Sequence, residues 1–255
     1  MRRPLWQACI ALLLGTLTSF VAAQDDPRAN PYFAVPELRQ LMEWATFQLT
    51  FDAASMTPDM AAGESKPAIN GTPQFAPGLR GQALVAGSGV GLYPRAGNAP
   101  FDTQGAVALW VCPDGWTHVQ GGNTTLVMTT NSSFYLQRQG PWIEGPVLKR
   151  QEGLQFLLFS KTVGNGCLMF GTNGFANGQW RLLVASWSWP TMSFSLDGGE
   201  FQSATVKGRP KPEEFGGIVV GATGGEKTLL DEVTFFRRPV SAAEAKVLYD
   251  TLRVK

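Results

Sequence analysis

In "TFQLTFD", residues 46–52, Phe47, Leu49 and Phe51 fall on one side while Gln48, Thr50 and Asp52 fall on the other. That period of two is the signature of a half-buried strand. Similar runs follow to the end of the chain: "QALVA", "VGLYP", "GAVALWV", "TTLVMTT", "SFYLQRQ", "LQFLLFS", "CLMFG", "WRLLVASWSW", "MSFSLDGG", "GGIVVGA" and "LLDEVTFF". Gly, Pro, Asn and Asp clusters such as Asp197-Gly198-Gly199 separate them, as turns require. "GAVALWV" is apolar at every position but its glycine, which predicts a central strand covered on both faces. Many short strands with almost no helices between them define an all-β sandwich or jelly roll rather than a chain of βαβ units.

Only two stretches carry a helical period. "PELRQLMEWA" aligns Leu38, Leu41, Met42 and Ala45, with Pro36 in the first turn, where a missing N–H is tolerated. Near the other end, Ser241-Ala-Ala-Glu244 is a capping box: the serine hydroxyl accepts from the third amide of the helix and the glutamate reaches back to the serine N–H. Val247, Leu248 and Leu252 give that helix its apolar side. Strict alternation along "LLDEVTFF" places Asp231 on one face with Leu229, Val233 and Phe235, so a carboxylate is expected among apolar neighbours.

The N-terminus changes the picture. Arg2 and Arg3 precede an apolar run from Ala8 to Ala23, with Val21 and Ala23 placed for signal peptidase. The run is shorter than the roughly 20 apolar residues of a membrane span, so an exported chain cleaved before Gln24 is expected, with an uncleaved anchor as the alternative. The expected organisation is a signal peptide over 1–23, a tether and short helix over 24–45, and one domain over 46–255. Charge adds an exclusion: 21 basic residues, two of them in the signal, face 20 acidic ones. Such balance excludes the clustered Lys and Arg that nucleic acid needs.

An ordered set of fragments resembles a known family. "LTFD" at 49–52, "FAPGLRGQAL" at 75–84, "GAVALWVCPD" at 105–114, "GQWRLLVASW" at 178–187, "FSLDGG" at 194–199 and "VVGATGGEKTLLDEVTFFRRPVSAAEAKVLY" at 219–249 are similar to the laminin-G-like, concanavalin A-like lectin/glucanase domains, especially their bacterial group. The resemblance spans about residues 46–252 and implies a jelly-roll sandwich of two antiparallel sheets. It also implies a binding or adhesion role toward glycans or proteins, calcium in many relatives, and first and last strands side by side.

Candidate chemistry is sparse. Glycosidases of this fold carry Glu-x-Asp-x-Glu or Glu-x-Asp-x-x-Glu runs that aim two carboxyls into one cleft. The nearest clusters here, Glu213-Glu214 and Asp231-Glu232, are adjacent residues instead. His118 is the only histidine, which excludes a His-rich zinc site, and no GxSxG turn is present. The glycine-rich "GVGLYPRAG" and "GATGGEK" lack phosphate-loop spacing and read as turns. An inward Asp231 needs a partner. The resemblance brings Asp52 toward it, so a structural Ca²⁺ site on Asp231 and Asp52 is one expectation and satisfaction by backbone amides or an arginine the other. Trp116, Trp142 and Trp189 lie in or beside predicted loops, where they either pack or offer a face to a sugar ring. Cys112 and Cys167 remain after signal cleavage and either pair in an oxidising compartment or stay apart as thiols. Asn70, Asn123 and Asn131 begin N-x-Ser/Thr sequons. The expected function is a periplasmic or extracellular, non-catalytic binding module with a glycan as ligand. An envelope protein as partner is the alternative, and a glycoside hydrolase of the same fold the third reading.

Overall fold

The computed structural model describes Tyr32 and residues 35–118, 121–144, 147–222 and 226–253. The expected signal peptide and most of the tether lie outside these residues. No helix among the described residues is long and apolar enough to cross a membrane.

Helix α1 (Pro36–Met42) leads into β1 (Ala45–Leu49), β2 (Met60–Ala61), β3 (Ala68–Gly71), β4 (Phe75–Pro77), β5 (Gln82–Val85) and β6 (Gly89–Tyr93). Then come β7 (Gln104–Pro113), β8 (Asn123–Thr129), β9 (Phe134–Gln139), β10 (Trp142–Glu144), β11 (Val147–Arg150), β12 (Gly153–Leu158) and β13 (Gly166–Phe170). β14 (Arg181–Ser188), β15 (Thr191–Leu196), β16 (Gln202–Thr205), β17 (Ile218–Val220), β18 (Thr228–Phe236) and α2 (Ala242–Leu252) complete the chain. Two antiparallel sheets result. The first runs β16-β15-β14-β7-β18-β1-β2, with β5 also on β18 and β4 on β5; the second runs β13-β12-β9-β8-β17-β6-β3. β10 and β11 form a separate hairpin. This is the jelly-roll sandwich expected, with β1 beside β18.

Alternation decides which layer each side chain enters. In β7, Val107, Leu109 and Val111 enter the core between the sheets, joined from β14 by Leu183, Ala185 and Trp187. Ala106, Ala108 and Trp110 point the other way, into a second apolar layer with Tyr32, Leu38 and Leu41 and with Ala245, Leu248 and Leu252 of α2. Both helices therefore cover the outer face of the first sheet, which is why β7 is apolar on both sides. The capping box of α2 forms as expected: Ser241 Oγ accepts from the Glu244 N–H, and Glu244 accepts from the Ser241 N–H at 2.9 Å.

β18 departs from simple alternation. Its register against β7 shifts between Asp231 and Thr234, and Glu232 takes φ +53°, a left-handed conformation rare for a side chain of this kind. Leu230, Val233 and Phe235 enter the inter-sheet core, while Leu229 and Phe236 pack outside it. Asp231 thus faces outward beneath Leu79, opposite to Val233 and Phe235, because one extra residue resets the parity of the strand.

Candidate functional site

The turn joining β8 to β9, the loop joining β12 to β13 and a short 3-10 helix at Pro212–Glu214 meet at one end of the sandwich. They enclose a cavity of about 500 Å³ lined chiefly by Asn131, Ser132, Phe159, Lys161, Asn165 and Glu213. Its walls are rigidly tied. Thr129 Oγ1 accepts from the Ser133 and Phe134 N–H groups at 3.0 and 3.2 Å, which closes the turn in which Ser132 adopts φ +62°. The Phe159 N–H donates to Ser133 O at 2.8 Å and joins turn to loop. Ser160 Oγ accepts from Thr162 and Val163 N–H. Asn131 is fully engaged, its amide donating to Glu214 O and accepting from Gly216 N–H, which seats the 3-10 helix. Thr162 donates to Glu214; although desolvation pushes that carboxyl up, the Ser160 and Thr162 hydroxyls and the Thr162 and Lys161 amides bring it below its ordinary value.

With Asn131 and Glu214 committed to the frame, the rim keeps Phe159, Lys161, Asn165 and Glu213 toward solvent. Phe159 is 44% exposed and held edge-on by Tyr135, ring centroids 5.8 Å apart. Lys161 makes no ion pair among the described residues. An aromatic face surrounded by amide, hydroxyl, ammonium and carboxylate groups suits a polyol ring, whose C–H face stacks while its hydroxyls hydrogen-bond. Sequence reasoning missed Phe159. Leu154, Phe156 and Leu158 enter the core, so Phe159 has the parity of the outward residues and runs straight into a polar loop. That was the available signal.

The structure does not assemble the three loop tryptophans. Trp116 is buried: it stacks on Phe175 (6.4 Å, 13°), donates to Thr228 Oγ1 at 2.8 Å and lies 4.6 Å from the Arg138 guanidinium, so packing replaces ligand contact. Trp189, at the opposite end of β7 and β14, is half-buried with its indole N–H on Phe101 O at 2.7 Å. Trp142 alone is open, 51% exposed on the β10–β11 hairpin beside the equally open Val147 and Leu148.

Around Trp116 lies a polar hub. Buried Arg138 pairs with Glu226, approaches Glu152 at 3.7 Å and donates to Thr117 O at 2.9 Å. His118 Nδ1 is 2.8 Å from Glu152, and Thr172 donates to the same carboxylate. Each contact joins a different connection of that end, so the hub fixes loops and makes His118 an ordinary hydrogen-bonded loop residue.

Two further expectations resolve against the geometry. Cys112 and Cys167 are both free, Cys112 buried outside the first sheet on β7 and Cys167 exposed on β13 at the edge of the second, so they do not pair. Asp231 and Asp52 both approach the β4–β5 turn, but the Asp231 carboxyl accepts from the Leu79 and Glu232 N–H groups at 2.9 Å each. No three His, Cys, Asp or Glu side chains among the described residues are arranged to hold a metal ion. Burial, with repulsion from Glu232, pushes Asp231 up to about 9; burial raises Glu232 to about 8. The two amides supply the backbone satisfaction expected as the alternative to a Ca²⁺ site, whose six to eight oxygens would have to include carbonyls as well as carboxylates.

The order and antiparallel pairing of these strands define a two-sheet jelly-roll sandwich of the laminin-G-like class. Residues 87–246 match the model of the concanavalin A-like lectin/glucanases superfamily, and the chain belongs to that laminin-G-like family. Its structure is similar to the binding domain of botulinum neurotoxin DC in complex with SialylT, with TM-score 0.64 and 11% identity over 84% of this chain and 52% of that one. The same neurotoxin domain in complex with rat synaptotagmin II gives 0.63 and 12% over 84% and 52%. The serotype D binding domain gives 0.61 and 11% over 83% and 52%. The chain spans about half the length of these structures. No curated protein matches the sequence significantly.

Proposed function

We propose that the chain is an exported, non-catalytic binding module whose ligand is a carbohydrate held at the Phe159 cavity. The observation that carries this reading is one exposed aromatic face set among the free polar groups of Lys161, Asn165 and Glu213 on a rigid frame. The similar neurotoxin domains are binding domains, in line with a recognition role. Catalysis finds little support at the cavity: Glu214 is tied into the wall by Thr162, which leaves Glu213 without the second free carboxyl that glycoside hydrolysis uses.

Screening the chain on an array of glycans and insoluble polysaccharides, alongside Phe159→Ala, tests the reading. Specific retention weakened about tenfold or more in the variant is the expected result, given the worth of an aromatic platform. Retention that Phe159→Ala leaves intact would move the site elsewhere.

The β10–β11 hairpin favours a second reading, a protein-interaction domain of the envelope. Trp142, Val147 and Leu148 are exposed together on it. Loss of partner capture in Trp142→Ala, with no glycan retained by the parent chain, would replace the carbohydrate reading with this one.

A further inference from the structure

The chain carries four Asn-Gly pairs, Asn70-Gly71, Asn165-Gly166, Asn173-Gly174 and Asn177-Gly178. Such a pair is chemically vulnerable, because a glycine leaves its own backbone nitrogen unshielded beside the asparagine side-chain carbonyl and lets the peptide between them rotate. The fold decides which pair is free to react.

Three of the pairs are held. Asn70-Gly71 lies in β3 and Gly166 opens β13, where the ladders set Asn70 against Val90, Gly71 against Gly89 and Gly166 against Leu158. Asn177 Oδ1 accepts from the Gly115 and Trp116 N–H groups at 3.0 and 3.2 Å, while the Gly178 N–H donates to Pro113 O at 2.8 Å, so both reacting groups are engaged. Asn173-Gly174 differs. Both residues are exposed in the connection between β13 and β14, Gly174 takes φ +88°, and nothing lies within 4 Å of the place its Cβ would occupy. Among the described residues neither the Asn173 side chain, nor its carbonyl, nor the Gly174 N–H makes a hydrogen bond. The flanks, by contrast, are fixed. The Phe175 N–H donates to Thr172 O at 3.0 Å and closes the turn, Thr172 Oγ1 donates to Glu152 at 3.1 Å, and Phe175 stacks on Trp116 and against the Arg181 guanidinium.

We propose that Asn173-Gly174 is a self-modification site, at which the folded chain converts Asn173 to aspartate and isoaspartate without an enzyme. The Gly174 nitrogen attacks Asn173 Cγ; the N–Cγ bond forms, the Cγ–Nδ2 bond breaks, and ammonia leaves with the proton of the Gly174 amide. Water then opens the resulting succinimide. Opening at one carbonyl gives aspartate; opening at the other gives isoaspartate, whose main chain passes through the former side chain and is one carbon longer. The conversion adds a negative charge to the turn. It also lengthens the segment between the anchored Thr172 and Phe175, so the isoaspartyl form loosens Phe175 from Trp116 and ages the end of the sandwich that the Arg138 hub holds together.

Incubation of the folded chain in mildly alkaline buffer, beside the same chain unfolded in guanidinium chloride, tests the site. Fragmentation mass spectrometry locates each replacement of NH₂ by OH and separates aspartate from isoaspartate. In the folded chain Asn173 is expected to convert about tenfold or more faster than Asn70, Asn165 and Asn177, because ladder pairing and hydrogen bonds protect those three. In the unfolded chain all four are expected to convert at similar rates. An Asn173 that stays intact in the folded chain while the unfolded chain converts overturns the proposal. It is equally overturned by a folded chain in which any of the other three converts as fast.

Discussion

Arg138 is wholly buried, yet it faces Glu226 and Glu152 and lies on the Trp116 ring, so its charge is compensated on three sides. Truncation would leave two shielded carboxylates without their counter-ion. Arg138→Ala is expected to destabilise the fold by about 3–5 kcal/mol in urea denaturation, the usual penalty for stranding a buried charge. The opposite sign of electrostatics operates at Asp231 and Glu232. Each keeps a proton in the folded chain that it sheds in the unfolded chain, between the ordinary carboxylate range and its folded value near 9 or 8. Their stabilising contribution is full below that range and is lost as pH rises through the window. Unfolding free energy is therefore expected to be higher at about pH 5 than at about pH 8.5, and Asp231→Asn should reduce the slope by up to about 1.4 kcal/mol per pH unit. Individual residues were the level least legible in the sequence. Trp116 and Trp142 are both aromatics in loop-like stretches, and only the arrival of Arg138 and Phe175 from distant strands distinguishes a packed ring from an open one.

Elements were more legible, because their determinants are local. The capping box announced α2 in four residues, and Ser241→Ala is expected to lower stability by about 1 kcal/mol, as a shift in the thermal midpoint would register. The alternation of β7 and β14 likewise determined which side chains enter the inter-sheet core. β18 was legible as a strand but not in its facing: a bulge is one residue long and leaves the composition of "LLDEVTFF" unchanged, so parity read from Leu229 misplaces everything beyond Glu232. The frame of the cavity was hidden for a related reason. Asn131 and Glu214 meet only because the β8–β9 turn and the segment before β17 converge, a long-range contact with no local signature.

At the scale of the whole molecule, the jelly roll and its family were readable from the order of the fragments, while the cross-links suggested by residue type were not. Cys112 and Cys167 sit on different sheets, and Asp231 is satisfied by amides. Neither reductant nor chelator is expected to move the thermal midpoint of the chain by more than about 1 °C, well below the several degrees that loss of a disulfide or bound metal would produce. A clear drop with either reagent would restore the corresponding link.

The pairing of β1 with β18 also fixes the order in which the molecule can be completed. Phe47 meets Phe235 across nearly the full length of the domain, and β18 is held between β1 and β7. A chain emerging from the ribosome thus carries β1 with one edge on the two-residue β2 and the other edge unpaired until β18 has been made. The closing step joins segments that are remote along the chain, which slows folding and leaves the apolar side of β1 bare in the interim. The domain closes only once β18 has been made, and its first sheet lacks the strand between β1 and β7 until then.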